Sequence, residues 1–183
     1  MAKRILIVVG SMREQSFNKQ LAKKAEEKIA ERAEVSWLDY ADIPYMNQDI
    51  EFPAPKQIEY VRKEVESADG IWFFTPEYNH SYPGVLKNLL DWLSRPLVQG
   101  DVTRKTAISG KKATLSGVGG QSATSEVRRK LEELLRFMGV ELLSEKQTGI
   151  ALGKEGFSNN ILNLSEKEDG DLTAQVEEFL KFI

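Results

Sequence analysis

The sequence predicts an α/β fold in three layers, α/β/α: a doubly wound parallel sheet with helices on both faces. Three observations carry this expectation. Apolar residues switch along the chain between strand-like and helix-like spacing, the pattern of consecutive βα units. The strand candidates are continuous β-branched or aromatic runs, as strands buried on both faces require. The length, 183 residues, fits a single domain over 1–183, since about 100–200 residues per domain is usual.

The elements follow in order. Lys3–Val9 is a β-branched run ended by Gly10. Phe17–Ala33 is a helix, with Phe17, Leu21, Ala25 and Ile29 at helical spacing. Val35–Leu38 is a short second strand. Asp42–Pro55 holds three of the six prolines and reads as a loop. Gln57–Ser67 carries Ile58, Val61 and Val65 on one helical face. Gly70–Thr75 is a third strand, stopped by Pro76. Pro83–Ser94 is the clearest helix, with Pro83 at its start and a stripe of Val85, Leu86, Leu89, Leu90 and Leu93. Arg95–Gly110 has no period and reads as a long connection. Lys112–Val118 is a fourth strand, Ser122–Met138 a helix stopped by Gly139, and Val140–Leu143 the start of a fifth strand. Gly153–Gly170 reads as a loop, and Leu172–Ile183 as the closing helix. Five strands in this alternation suit the flavodoxin-like order 2-1-3-4-5.

Composition narrows the chemistry. The chain has no cysteine and one histidine, which excludes thiolate nucleophiles, Cys-ligated zinc, iron–sulfur clusters and multi-histidine metal sites. The net charge of −3 argues against a general nucleic-acid binder. The longest apolar runs, Ile5–Val9 and Ile71–Phe74, fall far short of the ~20 residues of a membrane helix. They also fall short of the ~7–15 residues of a signal peptide. The expectation is a cytoplasmic protein.

For the order 2-1-3-4-5, ligands bind beyond the carboxyl ends of the strands where the order reverses, between strands 1 and 3. The loops after Val9, Thr75 and Val118 are therefore the candidates. The first, Gly10–Asn18, runs into a helix N-terminus, which attracts phosphate through free amides and its positive dipole end. Ser11, Ser16 and Asn18 add donors, and Arg13 adds a charged fork. Plain capping by Ser16 or Asn18, with Arg13 solvated, is the other reading. Met12 and Gln15 break the dinucleotide fingerprint, and no stretch matches a nucleotide P-loop, so the ligand expected is a mononucleotide. The second loop, Thr75–Gly84, holds two prolines and the cluster Glu77, Tyr78, Asn79 and His80. It reads equally as the polar edge of a flat heterocycle's site or as a stiff connection. The third loop, Ser116–Ser122, carries three glycines. These suit close backbone approach to a ligand or a simple turn; its place beside the other two favours binding.

At these residues the chain resembles a known family. Gly10-Ser11-x-Arg13-x-x-Ser16-x-Asn18 is one part of the match. Pro76-Glu77-Tyr78-Asn79 is the second, followed by Ser81-x-Pro83-Gly84-Val85-Leu86-Lys87-Asn88-x-x-Asp91-Trp92-x-Ser94-Arg95. Together they resemble the NAD(P)H-dependent FMN reductases, which include quinone, azo-dye and chromate reductases on a flavodoxin-like fold. The resemblance implies FMN as cofactor and NADPH or NADH as co-substrate. It implies that Ser11, Arg13, Ser16 and Asn18, with the backbone at Phe17, hold the phosphate. Pro76, Glu77, Tyr78 and Asn79 line the flavin ring, and Ser116 and Gly117 border its other side. It implies a homodimer or homotetramer with the Pro83–Arg95 helix near the interface.

The activity implied is hydride transfer from NAD(P)H through bound FMN to a quinone, flavin or similar small acceptor, the two substrates taking turns at one site. Such flavin-borne chemistry asks for no catalytic side chain and no metal. His80 is expected to be a loop residue, with proton donation to a quinone as the minority reading. Two alternatives remain open: an electron-carrying flavodoxin without its own NAD(P)H step, against which Arg13 argues, and a regulatory module that binds FMN incidentally or not at all.

Overall fold

The computed structural model describes residues 2–183. Its first half alternates without interruption: β1 (Arg4–Val9), α1 (Phe17–Ile29), β2 (Glu34–Trp37), α2 (Lys56–Ser67), β3 (Gly70–Phe74) and α3 (Gly84–Leu93). The second half continues with β4 (Lys112–Gly119), α4 (Ser125–Phe137), β5 (Glu141–Leu143), β6 (Gly149–Ala151), α5 (Lys154–Asn159) and α6 (Glu166–Phe182). The strands pair in parallel in the order β2-β1-β3-β4-β5, with β6 also on β4. This is the flavodoxin-like order that the alternation predicts.

The sheet is buried on both faces, and successive residues of each strand feed opposite cores. Leu6, Val8, Ile71, Phe73 and Leu115 pack with α2, α3 and α4, through Val61, Leu89, Leu131 and their neighbours. Ile5, Ile7, Trp72, Phe74 and Val118 pack with α1 and α6, through Leu21, Ala25, Val176 and Phe179. The two-residue side-chain period of a strand produces this division.

Two expectations are corrected at the far edge. The fifth position holds two short strands in series: β4 pairs with β5 over Lys112–Thr114 and with β6 over Gly117–Gly119. The break between them is served by Gln175 of α6, which is fully buried. Its Oε1 accepts the Thr148 amide at 2.7 Å and the Ser116 hydroxyl at 2.9 Å. Its Nε2 donates to Thr114 Oγ1 at 2.8 Å and the Leu115 carbonyl at 2.9 Å. All four hydrogen-bonding positions of this buried amide are thereby satisfied. Gly153–Gly170 is likewise not a plain loop. It holds α5 and the first turn of α6, which starts at a capping box in which Ser165 and Glu168 satisfy each other's amides. The polar residues of that turn hid it from a reading of apolar period.

The motif around α3 is largely structural. Asn88 and Trp92, one turn apart, both donate to the Pro44 carbonyl, at 3.0 and 2.8 Å, and Asn88 Oδ1 accepts the Met46 amide at 2.8 Å. Arg95 makes a two-pronged bond to buried Glu51, 2.9 Å on each arm. The proline-bearing loop after β2 is thus clasped to α3.

Candidate functional site

A cavity of about 300 Å³ opens beyond the carboxyl ends of β1, β3 and β4, between the three loops predicted from strand order. Ser11, Arg13, Ser16, Phe17 and Asn18 line it from the first loop. Pro76, Glu77 and Tyr78 line it from the second, and Val118, Gly119 and Gly120 from the third.

The first loop meets α1 as phosphate binding requires. Ser16 caps the helix, its hydroxyl accepting the Lys19 amide at 3.4 Å. The amides of Phe17 and Asn18 have no partner among the described residues. No acidic residue lies in the first turn to offset the positive dipole end. The Arg13 guanidinium lies 5.3 Å from the centre of the Phe17 ring. Capping and anion binding are therefore compatible uses of one helix end.

Asn18 also has a task within the fold. Its side chain is buried; Nδ2 donates to the Val118 carbonyl at 3.1 Å and Oδ1 accepts the Val118 amide at 2.9 Å. Asn18 thus pairs with the end of β4 as a neighbouring strand would, and ties the first loop to the third. Its backbone amide and the second Nδ2 hydrogen remain for a ligand.

Glu77 joins the second loop to the third. Its carboxylate accepts the Ser122 hydroxyl at 2.8 Å and the Val127 amide at 3.0 Å, inside the first turn of α4. Burial works against the ionised form, but the Val127 amide, the Ser122 hydroxyl and the nearby His80 imidazole outweigh it. The Glu77 carboxyl is held below the usual carboxylate range and is ionised at neutral pH. After it, Tyr78 and Ser81 exchange two backbone hydrogen bonds, at 2.9 and 3.0 Å, around Asn79 and His80. Both central residues have positive φ, 51° and 57°, as a two-residue hairpin turn of the primed type demands. Asn79 lies in this turn, outside the cavity lining. His80 is exposed, with Nδ1 3.5 Å from Glu77 Oε1.

Ser116 and Gly117 lie below the cavity and do not line it. The Ser116 hydroxyl is buried, donating to Gln175 and accepting from Trp72 Nε1 at 3.0 Å. A Cβ on Gly117 would stand 2.4 Å from the Thr75 carbonyl oxygen and 2.5 Å from Thr124 Oγ1. Gly117 is needed for packing between strand ends. In this loop a Cβ on Gly119 would stand 2.8 Å from Thr124 Cγ2, whereas one on Gly120 would meet nothing within 4 Å, so only Gly120 is bare on its open side.

The sequence reading missed the wall formed by Leu152 and Phe157. Phe157 of α5 stands edge-on to Phe17, with ring centres 5.8 Å apart. The signal available was a lone phenylalanine in an Asn-, Ser- and Gly-rich stretch. Tyr40 was missed too. Its buried hydroxyl donates to the Val9 carbonyl at 2.6 Å, fixing the strand end that launches the first loop; burial raises its pKa, so the phenol stays protonated.

The residues present fit a flavin mononucleotide. One end of the cavity offers unpartnered amides, hydroxyls and a guanidinium for a phosphate, beside the apolar wall of Phe157, and the other the Pro76–Tyr78 loop and the Gly119–Gly120 backbone for a flat ring. The side chains of Asn18 and Glu77 also hold the loops together.

Comparison with known proteins agrees with this fit. A family model described as NADPH-dependent FMN reductase matches residues 3–155. The chain is 33% identical over 148 residues to a 2-hydroxy-1,4-benzoquinone reductase of a Burkholderia species, covering 80% of this chain and 78% of that protein. It is 31% identical over 156 residues to an NAD(P)H-dependent FMN reductase of Pseudomonas aeruginosa, covering 84% and 80%. Among solved structures, a flavoenzyme NAD(P)H:(acceptor) oxidoreductase from Paracoccus denitrificans superposes with a TM-score of 0.85 at 28% identity. That match covers 98% of this chain and 96% of the other.

Proposed function

Since the chain belongs to the NADPH-dependent FMN reductase family, we propose that it binds FMN in the cavity between its three loops and reduces quinones or similar small acceptors with NAD(P)H. The observation that carries the reading is the cavity itself, whose polar end is the first turn of α1 with its free amides, Ser16 and Arg13. FMN bound there supplies the redox chemistry, passing a hydride equivalent from nicotinamide to acceptor.

The residues of this chain supply position and field. Ser11, Ser16, the Phe17 and Asn18 amides and Arg13 hold the phosphate, and a guanidinium offers it two parallel donors. Pro76–Tyr78 on one side and Gly119–Gly120 on the other hold the ring edge. Leu152 and Phe157 wall the phosphate side. Glu77, ionised and locked to α4, keeps the second and third loops at fixed separation, so the ring's slot is preformed. The exposed ring of Tyr78, 51% accessible, borders the mouth where nicotinamide and acceptor enter in turn.

The names of the relatives, among them a 2-hydroxy-1,4-benzoquinone reductase, an NAD(P)H-dependent FMN reductase and a quinone reductase, support an enzyme over a flavodoxin-type carrier. The assembly we propose is a homodimer or homotetramer. Exposed apolar residues lie on α3, Val85 at 41%, and in the loop bonded to it through Pro44, Tyr45 at 87% accessibility. No helix among the described residues is long and apolar enough to cross a membrane.

The deciding experiment is anaerobic. Excess NADPH or NADH should bleach the absorbance of the flavin-loaded protein without any partner enzyme, and a quinone should restore it. Flavin that stays oxidised under excess of both nicotinamides would refute the reductase reading. Flavin that never binds would refute the cofactor.

A further inference from the structure

We propose that Asn160, at the end of α5, is a positioning residue for the cofactor phosphate: it holds Arg13 in place over the first loop. The proposal rests on the FMN reading above. It concerns a part of the chain beyond residue 155, where the family match ends.

The observations converge on one side chain. Arg13 Nη2 donates to Asn160 Oδ1, and Asn160 Nδ2 donates to Gln15 Oε1. One carboxamide therefore grips two residues of the first loop, using both its acceptor and its donor. The backbone around it is fixed from α1. Gln20 Nε2 donates to the Asn160 carbonyl at 3.2 Å, and Gln20 Oε1 accepts the Leu162 amide at 2.8 Å. Phe157, one turn earlier, packs edge-on against Phe17, the ring near which the Arg13 guanidinium lies. Asn160 itself has φ 57°, the left-handed conformation that asparagine tolerates better than other side chains and that lets a helix end turn back.

The physical consequence concerns Arg13. It is exposed, and a long side chain in water loses much rotamer freedom when a ligand immobilises it. Asn160 takes that freedom away before the phosphate arrives and aims the guanidinium at the end of α1. Arg13 has further donors, so the Asn160 contact leaves others to the phosphate. Asn160 is not among the residues that line the cavity; its effect passes through Arg13.

This route has a signature that a merely structural role would lack. Riboflavin carries the same ring and ribityl chain as FMN without the phosphate. Titration of the flavin-free full chain, followed by flavin fluorescence, gives both affinities. Asn160→Gly keeps the left-handed backbone and removes only the carboxamide. It should raise the Kd for FMN about three- to tenfold, the range expected when one immobilised side chain becomes free. The Kd for riboflavin should not move. In an Arg13→Ala background the same substitution should change the FMN Kd less than about twofold, because interacting residues are not additive. Equal weakening of FMN and riboflavin, additive effects of the two substitutions, or an unchanged FMN Kd would each overturn the proposal. Wild-type protein that fails to bind FMN would instead bring down the cofactor reading on which it stands.

Discussion

Removal of the Glu77 carboxylate tests how the site is held open. In Glu77→Ala the Ser122 hydroxyl and the Val127 amide lose an ionised acceptor at 2.8 and 3.0 Å. Hydrogen bonds to charged groups contribute about 1.5–3 kcal/mol each, and a carboxylate at a helix N-terminus adds about 0.3–1 kcal/mol. Water entering the vacated space offsets part of this, so a loss of about 2–3 kcal/mol at pH 7 is expected. The pH dependence has a fixed sign. The folded protein holds the carboxyl below its ordinary value, so folding is favoured by ionisation. The contribution is whole above the unfolded value, about 4.3, and disappears as pH falls through the folded one. Urea unfolding of wild type and variant, followed by tryptophan fluorescence, should show the full difference at neutral pH and a shrinking one in acid. A difference under about 0.5 kcal/mol at pH 7, the scale of an ordinary surface substitution, would refute the argument. So would a difference that stays constant into acid.

Three other substitutions probe the supports of the site. Gly117→Ala forces a Cβ onto the Thr75 carbonyl and Thr124; a loss of about 3 kcal/mol is expected, and an unchanged melting temperature would show that the strand ends yield. Asn18→Leu strips both backbone partners from Val118. It should cost about 2 kcal/mol and weaken flavin binding, and retention of both properties would remove Asn18 as the tie between loops. Arg95→Met leaves the buried Glu51 carboxylate without its two-pronged partner. Breaking a buried pair costs about 3–5 kcal/mol, reduced to about 2–3 because Arg95 keeps a third of its surface in water; chemical denaturation with no measurable change would contradict this.

The sheet order was legible because its causes are local: buried parallel strands leave unbroken apolar runs, and α3 carries its stripe on its face. The location of the site followed from that order. The tasks of individual residues were less legible, since they depend on contacts between distant segments. Nothing near Asn18 in sequence points to Val118, a hundred positions on, and nothing near Glu77 points to the first turn of α4. The resemblance sets Ser116 and Gly117 beside the ring, and no local signal showed that Ser116 joins a buried network and Gly117 fits between strand ends. The wall of Leu152 and Phe157 was invisible for the opposite reason: a six-residue helix is too short to show a period.

The divided fifth strand has a bearing on what this fold can absorb. Gln175 completes the hydrogen bonding at the break, so Glu145 and Lys146, both exposed, owe nothing to the ladder on either side. Extra residues placed between them would project from the rim of the sheet, with β5 and β6 still held by β4. Loop closure grows more costly by only about 0.6 kcal/mol per doubling of length. That point is where a peptide tag, a reporter domain or new chain termini could be grafted with the cofactor cavity left as it stands.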